Sequence, residues 1–540
     1  MRSKGIILIL IALVIALPLV FRSKKTTVVG SADDTVVVVT PHVESIRYET
    51  EQAFKRWYKE KTGRTVTVDW RFMSGASDMM RYLYSMYTSS FRYQWEQSGK
   101  AWSQVVQAAI FNTKIDITQD TLDAQVRKAF LESDEITCGM DVVFGGGVSE
   151  FKKSTDIGLL DDHGLFEKCP EYFTEDAIPA TLAGESLWDP HGRWVGVCLT
   201  VFGIVYNKDR LKALNFNRVP DHWTDLTDPK FFKELAIVDP GKSSVVFKTF
   251  EVVIQEQMLN LYTEAAAKGP VSNEKEQAIV REGWLNGLRV LQKMCANTRY
   301  YSDASTKTPL DVANGNCAVG IVIDFYGRYY QALLATRAQS ERLGYVNPVG
   351  SFPSPDPIAV LRGAPNKTAA QAFVEFVISL DGQKILDFKV GTPGGPEKYA
   401  VCRAPIRKDF YINKEYEPYR LDCAINPYAR LGKFAFHDSW TRPAMEALRF
   451  ITKVAFMDVQ EELSAAWKAI SLTETRNPKA YKKAMAVFSD FSNVNYDKAI
   501  SSIREIASGH DPLREIQLQN TLASHFRKQF ERARALALGK

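Results

Sequence analysis

Short apolar runs alternate with helical patterns along most of the chain. Phe54, Trp57 and Tyr58 recur on one helix face, and Gly63 stands where this helix would end. Continuous apolar strands separated by helices favour parallel sheets that are covered on both faces. We therefore predict an α/β fold with two doubly wound sheets. The predicted strands are residues 35–40, 65–70, 140–145, 194–207, 235–240 and 317–324.

Two regions depart from this alternation. Residues 81–135 are mostly polar with a helical pattern and one aromatic-rich stretch, and we interpret them as an insertion. Residues 433–540 show helical patterns only and are predicted to form a C-terminal helical extension. Its last helix repeats Leu522, Phe526 and Phe530 four apart among basic residues, which is typical of an amphipathic helix. This helix offers a surface to a membrane or partner, or it packs on its own protein, and we favour the second interpretation.

The N-terminal pattern is that of an export signal or a membrane anchor. Residues 5–21 (GIILILIALVIALPLVF) are seventeen positions without a charge, which is the short end of a bilayer span. The next residues, RSKKTTVVGSADD, hold three basic side chains where a cleavable signal would turn small and polar. We expect residues 5–21 to remain uncleaved as a helix in the inner membrane. The rest of the chain is then periplasmic or extracytoplasmic.

Composition narrows the functional classes. With 45% hydrophobic and 24% charged residues, the chain is globular and not disordered. The net charge of +5 is spread over 540 residues without a basic block, so no nucleic-acid partner is expected. Seven cysteines form no CxxC pair, and neither a metal nor a cofactor is expected. Cys402 and Cys423 are candidates for a disulfide in an oxidising compartment, and the alternative is that all seven are small buried side chains.

The motifs of common hydrolases are missing from the sequence. It has no HExxH and no GxSxG. The segment GKSS at 241–244 resembles the end of a phosphate-binding loop, but position 236 is Ala where that loop requires Gly. A hydrolase on this fold would need a nucleophile and a base that the sequence does not show. We therefore expect a binding protein and not an enzyme.

Candidate ligand-binding residues follow the predicted strands. In open parallel sheets, ligands bind at the carboxyl ends of strands, where helices begin with unpaired amides. His42 follows the first strand, and Gly145, Gly146 and Gly147 follow the third. Three consecutive glycines can turn their amides toward an anion, or they can simply form a turn.

Further candidates come from the later strands. Ser243 and Ser244 stand at a predicted helix start, where they would offer hydroxyls and amides to an anion or would only cap the helix. Asp324 and Tyr326 close the strand at 317–324, and Thr200 lies within the long apolar run at 194–207.

Seven segments occur in an informative order. They are DVVFGGG, GLL, WVGVCLTVFGIVYNKDRL, PDHWTDLTDP, LAIVDPGKSS, CAVGIVIDFYGRY and SFPSPDPIAVLRGAPNKTAAQAFVEFVISLDGQKIL. In this order they resemble the extracellular, or periplasmic, solute-binding proteins of ATP-binding-cassette importers, near the branch that binds ferric ion. The resemblance implies the type 2 periplasmic-binding fold, in which two α/β lobes joined by crossing strands enclose a ligand cleft. It also implies a membrane permease as partner.

The resemblance, together with the N-terminal and C-terminal patterns, divides the chain into five parts. They are residues 1–34 as signal anchor and linker, 35–203 as the first part of lobe 1 with the insertion 81–135, 204–349 as lobe 2, 350–432 as the return to lobe 1, and 433–540 as the helical extension. Hinge closure is then expected near Thr200–Tyr206 and Gly350–Pro357.

The resemblance also bears on the ligand. The ferric branch holds its metal with two adjacent tyrosines, a His and a Glu, and here the tyrosine pair falls on Phe325 and Tyr326. His42 matches, while the acidic position falls in the glycine triplet. Fe³⁺ requires several anionic oxygens, so no metal is expected. Amides and serines fit a small polar, anionic solute, with Asp324 for a cationic group on the same molecule and Tyr326 as a hydrogen-bond donor.

Two other functions stay open. One is a membrane-anchored sensory or scaffolding ectodomain that kept the fold but does not transport. The other is ferric-ion binding.

Overall fold

The structure is a computed structural model, and it describes residues 32–337, 341–351, 353–421, 426–429, 434–509 and 511–540. The proposed membrane segment 5–21 and the proposed disulfide partner Cys423 lie outside these residues. Among the described helices, none has the length and apolar character needed to cross a membrane. Cys402 is a free thiol.

The first part of the chain forms a sheet with helices on it. β1 pairs in parallel with β2 and with β3, as the apolar runs predicted. The strands are β1 Asp34–Thr40, β2 Val66–Phe72, β3 Val142–Phe144, β4 Leu160–Asp161, β5 Thr181–Leu182 and β6 Glu185–Ser186. The helices are α1 Glu44–Thr62, α2 Ala76–Gln97, α3 Gln104–Ala109, α4 Leu122–Glu132, α5 Val148–Ile157 and α6 Leu165–Lys168.

One long strand, β7 (Val195–Asn207), takes part in two sheets. Its first half, up to Val201, pairs with β12 (Pro353–Leu361) of the first sheet. From Phe202 onward it pairs with β10 (Val319–Ile323) and β11 (Leu343–Val346) of the second sheet. A single strand therefore joins the two lobes and forms the floor between them.

The second lobe has its own parallel core. β8 lies between β9 and β10 and is parallel to both. Its remaining elements are β8 Leu235–Val238, β9 Thr298–Ser302, α7 Lys208–Ala213, α8 Ser244–Ala266, α9 Asn273–Asn297, α10 Lys307–Ala313 and α11 Asp324–Arg337.

The α/β class and all six predicted strands are confirmed, but the sheets are mixed and not purely parallel. β12 runs antiparallel to β3 and to β7, and β10 runs antiparallel to β7. The physical reason is that crossing strands enter a sheet against its parallel strands, which pattern alone does not reveal. The lobe boundaries stay a prediction.

The return segment completes the first lobe. It contains β12, α12 Lys367–Ile378, α13 Leu380–Asp387, β13 Ala404–Pro405 and α14 Lys408–Ile412. β13 pairs with β7.

The region at 81–135 is helical, without a strand among its described residues, as expected. One face of its two longest helices is buried. Tyr87, Phe91, Trp95 and Phe130 share an apolar core with Val143 of β3. This region therefore covers the first sheet.

From Asp438 onward, the described residues are mostly helical. They form α15 Asp438–Thr441, α16 Met445–Thr452, α17 Gln460–Thr473, α18 Pro478–Phe488, α19 Tyr496–Lys498, α20 Arg504–Ala507 and α21 Pro512–Ala537. In α21, Leu522, Phe526 and Phe530 are buried in the main core together with Trp284 of α9. The prediction that the last helix packs on its own protein is confirmed.

Candidate functional site

A cavity of about 370 Å³ lies between the two lobes. Its lining includes most of the residues that the sequence singled out, namely His42, Gly146, Gly147, Thr200, Ser243 and Tyr326. Gly145 and Asp324 are not part of the lining. The backbone of Ser244 begins α8, but its side chain is not described.

Helix N-termini converge on this cavity. The residues immediately before or within the first turns of α1, α2, α5 and α8 all contribute to its wall. The first amides of a helix have no intrahelical partner, and they carry the positive end of the helix dipole. The loops before α2 and α8 meet at the edge of the cavity, where a Cβ on Gly75 would lie 2.9 Å from the carbonyl oxygen of Lys242. Positive ends from both lobes therefore meet in one space.

The backbone conformation explains why three consecutive residues are glycine, and two of their three amides already have partners within the protein. Gly145, Gly146 and Gly147 have φ of 89°, 135° and 92°, which side chains rarely adopt. The amide of Gly145 donates to the carbonyl of Pro357 at 2.8 Å, and that of Gly146 donates to Asp356 Oδ1 at 3.0 Å. Both amides are therefore engaged within the protein. Gly147 directly precedes the first turn of α5.

A cluster of His42, Arg403 and the mostly buried Asp356 forms part of the cavity wall. Arg403 Nη2 donates to Asp356 Oδ2 at 2.6 Å, and Arg403 Nη1 lies 2.9 Å from His42 Nε2. His42 Nδ1 lies 2.9 Å from the hydroxyl of Thr40, which donates its proton to the carbonyl of Phe144. The hydroxyl therefore accepts from Nδ1–H, so that Nε2 is the acceptor for Arg403.

The protonation states follow from burial and from these contacts. Burial is the largest influence on His42 and lowers its pKa, although Asp356 works in the opposite direction. Burial alone would raise the pKa of Asp356, but the guanidinium of Arg403 holds it well below its usual range. At neutral pH the cluster thus holds a neutral imidazole, a carboxylate and a guanidinium. Within the described structure, Nε of Arg403 is buried without a hydrogen-bond partner.

A second cation, the mostly buried Lys248 of α8, also lines the cavity. Its Nζ lies 2.8 Å from Glu185 Oε1 in β6 and 3.0 Å from Glu251 Oε2. Burial lowers the pKa of Lys248, but the two carboxylates outweigh that effect and raise it above its usual value. Glu185 and Lys248 come from opposite lobes, so this pair also ties the lobes together.

The predicted hydroxyl-bearing residues Ser243, Tyr326 and Thr200 line the cavity, but their hydroxyls differ in their partners. Ser243 Oγ caps α8 by accepting from the amide of Val246 at 3.4 Å, and it lies 3.4 Å from Ser305 Oγ, which also lines the cavity. The capping interpretation therefore holds, and the same hydroxyl still lines the cavity. Burial raises the pKa of Tyr326 to about 12, so its side chain is a neutral phenol. Thr200 Oγ1 donates to the carbonyl of Ser354 at 3.0 Å.

Asp324 follows β10 as predicted but is not part of the cavity wall. It is the first residue of α11, and its side chain is buried and accepts from the amide of Phe325 at 2.9 Å. Burial raises its pKa to about 6. Its predicted contact with a cationic group on the solute has no support in this geometry.

Sequence reasoning missed Asp356, Arg403 and Lys248. Asp356 carried a weak signal, because it is a charged residue between two prolines in the apolar run SPDPIAVL. Arg403 carried none, since it comes from the return segment far from any predicted strand end. Lys248 reads as an ordinary polar position one turn into a helix.

The chain is similar in sequence to a known protein family and to several known proteins. The model of the bacterial extracellular solute-binding protein family matches residues 140–410, which is half of the chain. An uncharacterized protein from Haemophilus influenzae is 22% identical over 259 residues, covering 48% of this chain and 63% of that protein. The phosphoglycerate transport regulatory protein PgtC of Salmonella typhimurium is 24% identical over 283 residues, covering 52% of this chain and 58% of its own length. The chain therefore spans about three fifths of these curated relatives.

Among solved structures, the periplasmic binding protein AfuA from Actinobacillus pleuropneumoniae, with exogenous fructose-6-phosphate bound, superposes with a TM-score of 0.48. It is 16% identical, and the match covers 78% of this chain and 98% of that one. The family match confirms the resemblance to solute-binding proteins that the ordered segments indicated.

The buried cluster leads to a stability prediction. Arg403→Met should lower the free energy of unfolding at pH 7 by about 3 to 5 kcal/mol, because it leaves the mostly buried carboxylate of Asp356 without a positive partner. In urea denaturation, adding Asp356→Asn to this variant should recover much of the loss, since no charge is then stranded. Strictly additive effects of the two substitutions would contradict the coupling.

Proposed function

We propose that this chain, which belongs to the bacterial extracellular solute-binding proteins, captures a small anionic solute in the cavity between its lobes. It then presents the solute to the membrane permease of an ATP-binding-cassette importer. Binding is non-covalent, and we propose no catalytic step. The lobes close on the solute through the strand β7 and the connection at Gly350–Pro357.

The observation that supports an anionic solute is the convergence of helix N-termini on the cavity. α1, α2 and α5 from one lobe and α8 from the other all begin at the cavity. Their unpaired amides repel one another and attract negative charge. An anion between them would neutralise both sets of dipoles at once, which would add to the stability of the closed lobes.

Among the charged side chains of the wall, Lys242 is the one that we assign to the solute. The charge of Arg403 is balanced by Asp356, and that of Lys248 by Glu185 and Glu251. Lys242 directly precedes the cap of α8 and lines the cavity together with Ser243, Ser305 and the acidic Asp303. The remaining wall includes Phe202 and other apolar groups. A cavity of about 370 Å³ is near the lower end of small-molecule sites, so the solute is a short carbon skeleton with an anionic group. The name of the PgtC relative, which refers to phosphoglycerate transport, makes phosphorylated three-carbon acids the first compounds to try.

A regulatory role is the second candidate. The same relative is named a transport regulatory protein, and residues 438–537 add helices beyond the two lobes. In that case the chain would bind the same solute but report it to a signalling partner. Co-purification with an importer permease supports transport, whereas co-purification with a membrane kinase supports regulation.

The solute proposal is tested by thermal unfolding. A phosphoglycerate at 100 times its dissociation constant should stabilise the protein by about 2.7 kcal/mol, and the matching glycerate without phosphate should have much less effect. Lys242→Met should weaken binding by about 1 to 3 kcal/mol, because a charged hydrogen-bond donor is lost.

The matched control is Lys268→Met, an exposed residue just beyond the opposite end of α8. It should leave affinity unchanged. Absence of stabilisation by every anionic compound in a broad metabolite panel would contradict the proposal.

We further propose that ferric ion is not the solute. The Nε2 atom of His42, which would be the metal-binding nitrogen, accepts a hydrogen bond from Arg403, and the guanidinium adds a positive charge there. Tyr326 remains a neutral phenol and acts as a hydrogen-bond donor.

Adding ferric citrate to the purified protein should therefore give no tyrosinate charge-transfer colour. Tyr326→Phe should weaken binding of the anionic solute by about 1 to 3 kcal/mol if its acceptor is left unpaired. A visible colour that disappears in Tyr326→Phe would restore the metal role.

Periplasmic or extracytoplasmic location fits the family, and we propose that residues 5–21 hold the protein in the inner membrane. Membrane fractionation should find the chain in the inner-membrane pellet, and N-terminal sequencing should find it uncleaved. Removing residues 1–31 should shift the protein to the soluble fraction. A mature chain beginning near Ser31 or Asp33 would be evidence against the anchor.

A further inference from the structure

Residues 434–449, which we call the latch segment, contact both lobes beside the cavity. On lobe 1, the amide of Phe436 donates to the carbonyl of Ala183 at 2.7 Å. The neighbouring Gly184 has φ of 87°, and a Cβ at this position would collide with the carbonyl oxygen of Phe436. This close approach of two backbones requires glycine. The latch segment is thus fitted to the β5–β6 hairpin.

On lobe 2, the latch segment is held by side chains of α8 and α9. Gln255 is fully buried, donates to the carbonyl of His437 at 2.7 Å and accepts from the His437 amide at 3.0 Å. Trp440 Nε1 donates to Glu276 Oε1 at 2.7 Å. The buried side-chain amide of Gln255 thus bonds both backbone groups of His437. Separating them would leave buried polar groups without partners, so this contact holds the latch segment firmly.

Four ion pairs join the latch segment to α5, the helix that follows Gly147 in the cavity wall. They are Lys152–Asp438 at 3.6 Å, Lys153–Glu446 at 3.2 Å, Arg442–Asp156 at 3.4 Å and Arg449–Glu150 at 3.4 Å. All four cross from lobe 1 to the C-terminal helices. Each ion pair contributes little stability by itself at an exposed surface, but all four join the latch segment to the same helix.

The rest of the C-terminal region is firmly part of lobe 2. Trp284 Nε1 donates to the carbonyl of Val494 at 3.0 Å, and Gln292 Nε2 donates to the carbonyl of Phe488 at 2.7 Å. Apolar side chains of α17, α18 and α21 share one core with α9. When the lobes move, the latch segment therefore moves with lobe 2, and its contacts with Ala183 and α5 are the ones that must break.

We infer that the latch segment holds the cleft closed in the absence of solute. The inference rests on the proposed function, because it concerns how solute reaches the cavity. Opening requires the release of the Ala183 bond, the four ion pairs and the buried Lys248–Glu185 pair. Solute entry is thus governed by the C-terminal region as well as by the hinge.

The test uses the full chain in detergent, without any solute, and measures backbone amide hydrogen exchange by mass spectrometry. The double variant Lys152→Glu/Lys153→Glu places two negative charges against Asp438 and Glu446. It should raise exchange in peptides covering residues 145–157 and 181–188 on the order of tenfold, because the closed population falls. Adding Asp438→Lys/Glu446→Lys should restore the slow exchange.

Arg281→Glu is the matched control. Arg281 pairs with Asp497 at 2.8 Å and joins α9 to the C-terminal region within lobe 2 only. It should leave exchange in the lobe 1 peptides unchanged. Unchanged exchange in the Lys152/Lys153 variant, or an equal increase in the control, would overturn the latch. Because no solute is added, this outcome is independent of whether the anionic solute is correct.

Discussion

The guanidinium of Arg403 is the interaction on which the cavity depends. It brings the residues before β13 against β12 through Asp356 and against the end of β1 through His42. Asp356 in turn accepts from the amide of Gly146 and so fixes the loop before α5. These contacts hold together residues that are far apart in the sequence. Arg403 is 361 residues from His42, and Asp356 is 314 residues from His42 and 210 from Gly146. Because the cluster is buried, breaking any one contact leaves a polar group without water, so the wall is rigid.

The same cluster determines the chemistry of the cavity. A histidine nitrogen beside a carboxylate and a phenol would otherwise resemble a set of metal ligands. Our proposal that iron is not the solute rests on Nη1 of Arg403, which lies 2.9 Å from Nε2 of His42 and donates to it. In the same proposal, the dipoles of α1, α2, α5 and α8 are what attracts negative charge to the cavity. The protein as a whole carries only +5 on 540 residues, so this preference is a property of geometry and not of composition.

Much of the architecture was predictable because it depends on local pattern. The apolar runs at 35–40 and 317–324 became β1 and β10, and the residues after the strands, such as His42 and Ser243, do line the cavity. Errors occurred where the outcome depends on distant partners. Asp324 follows a strand as expected, yet its helix turns the carboxylate inward. The amides of Gly145 and Gly146 are taken by β12, and the contact between Gln255 and His437 spans 182 residues. No local signal in the sequence reports such pairings.

The most direct measurement of the central claim is native mass spectrometry of the full chain, purified gently from cells that make it and released from detergent in the instrument. Our account predicts a bound species of small mass that carries a phosphate or carboxylate, present in wild-type protein and depleted in Lys242→Met. A bound iron ion, or a neutral or cationic metabolite retained equally by both proteins, would contradict the account.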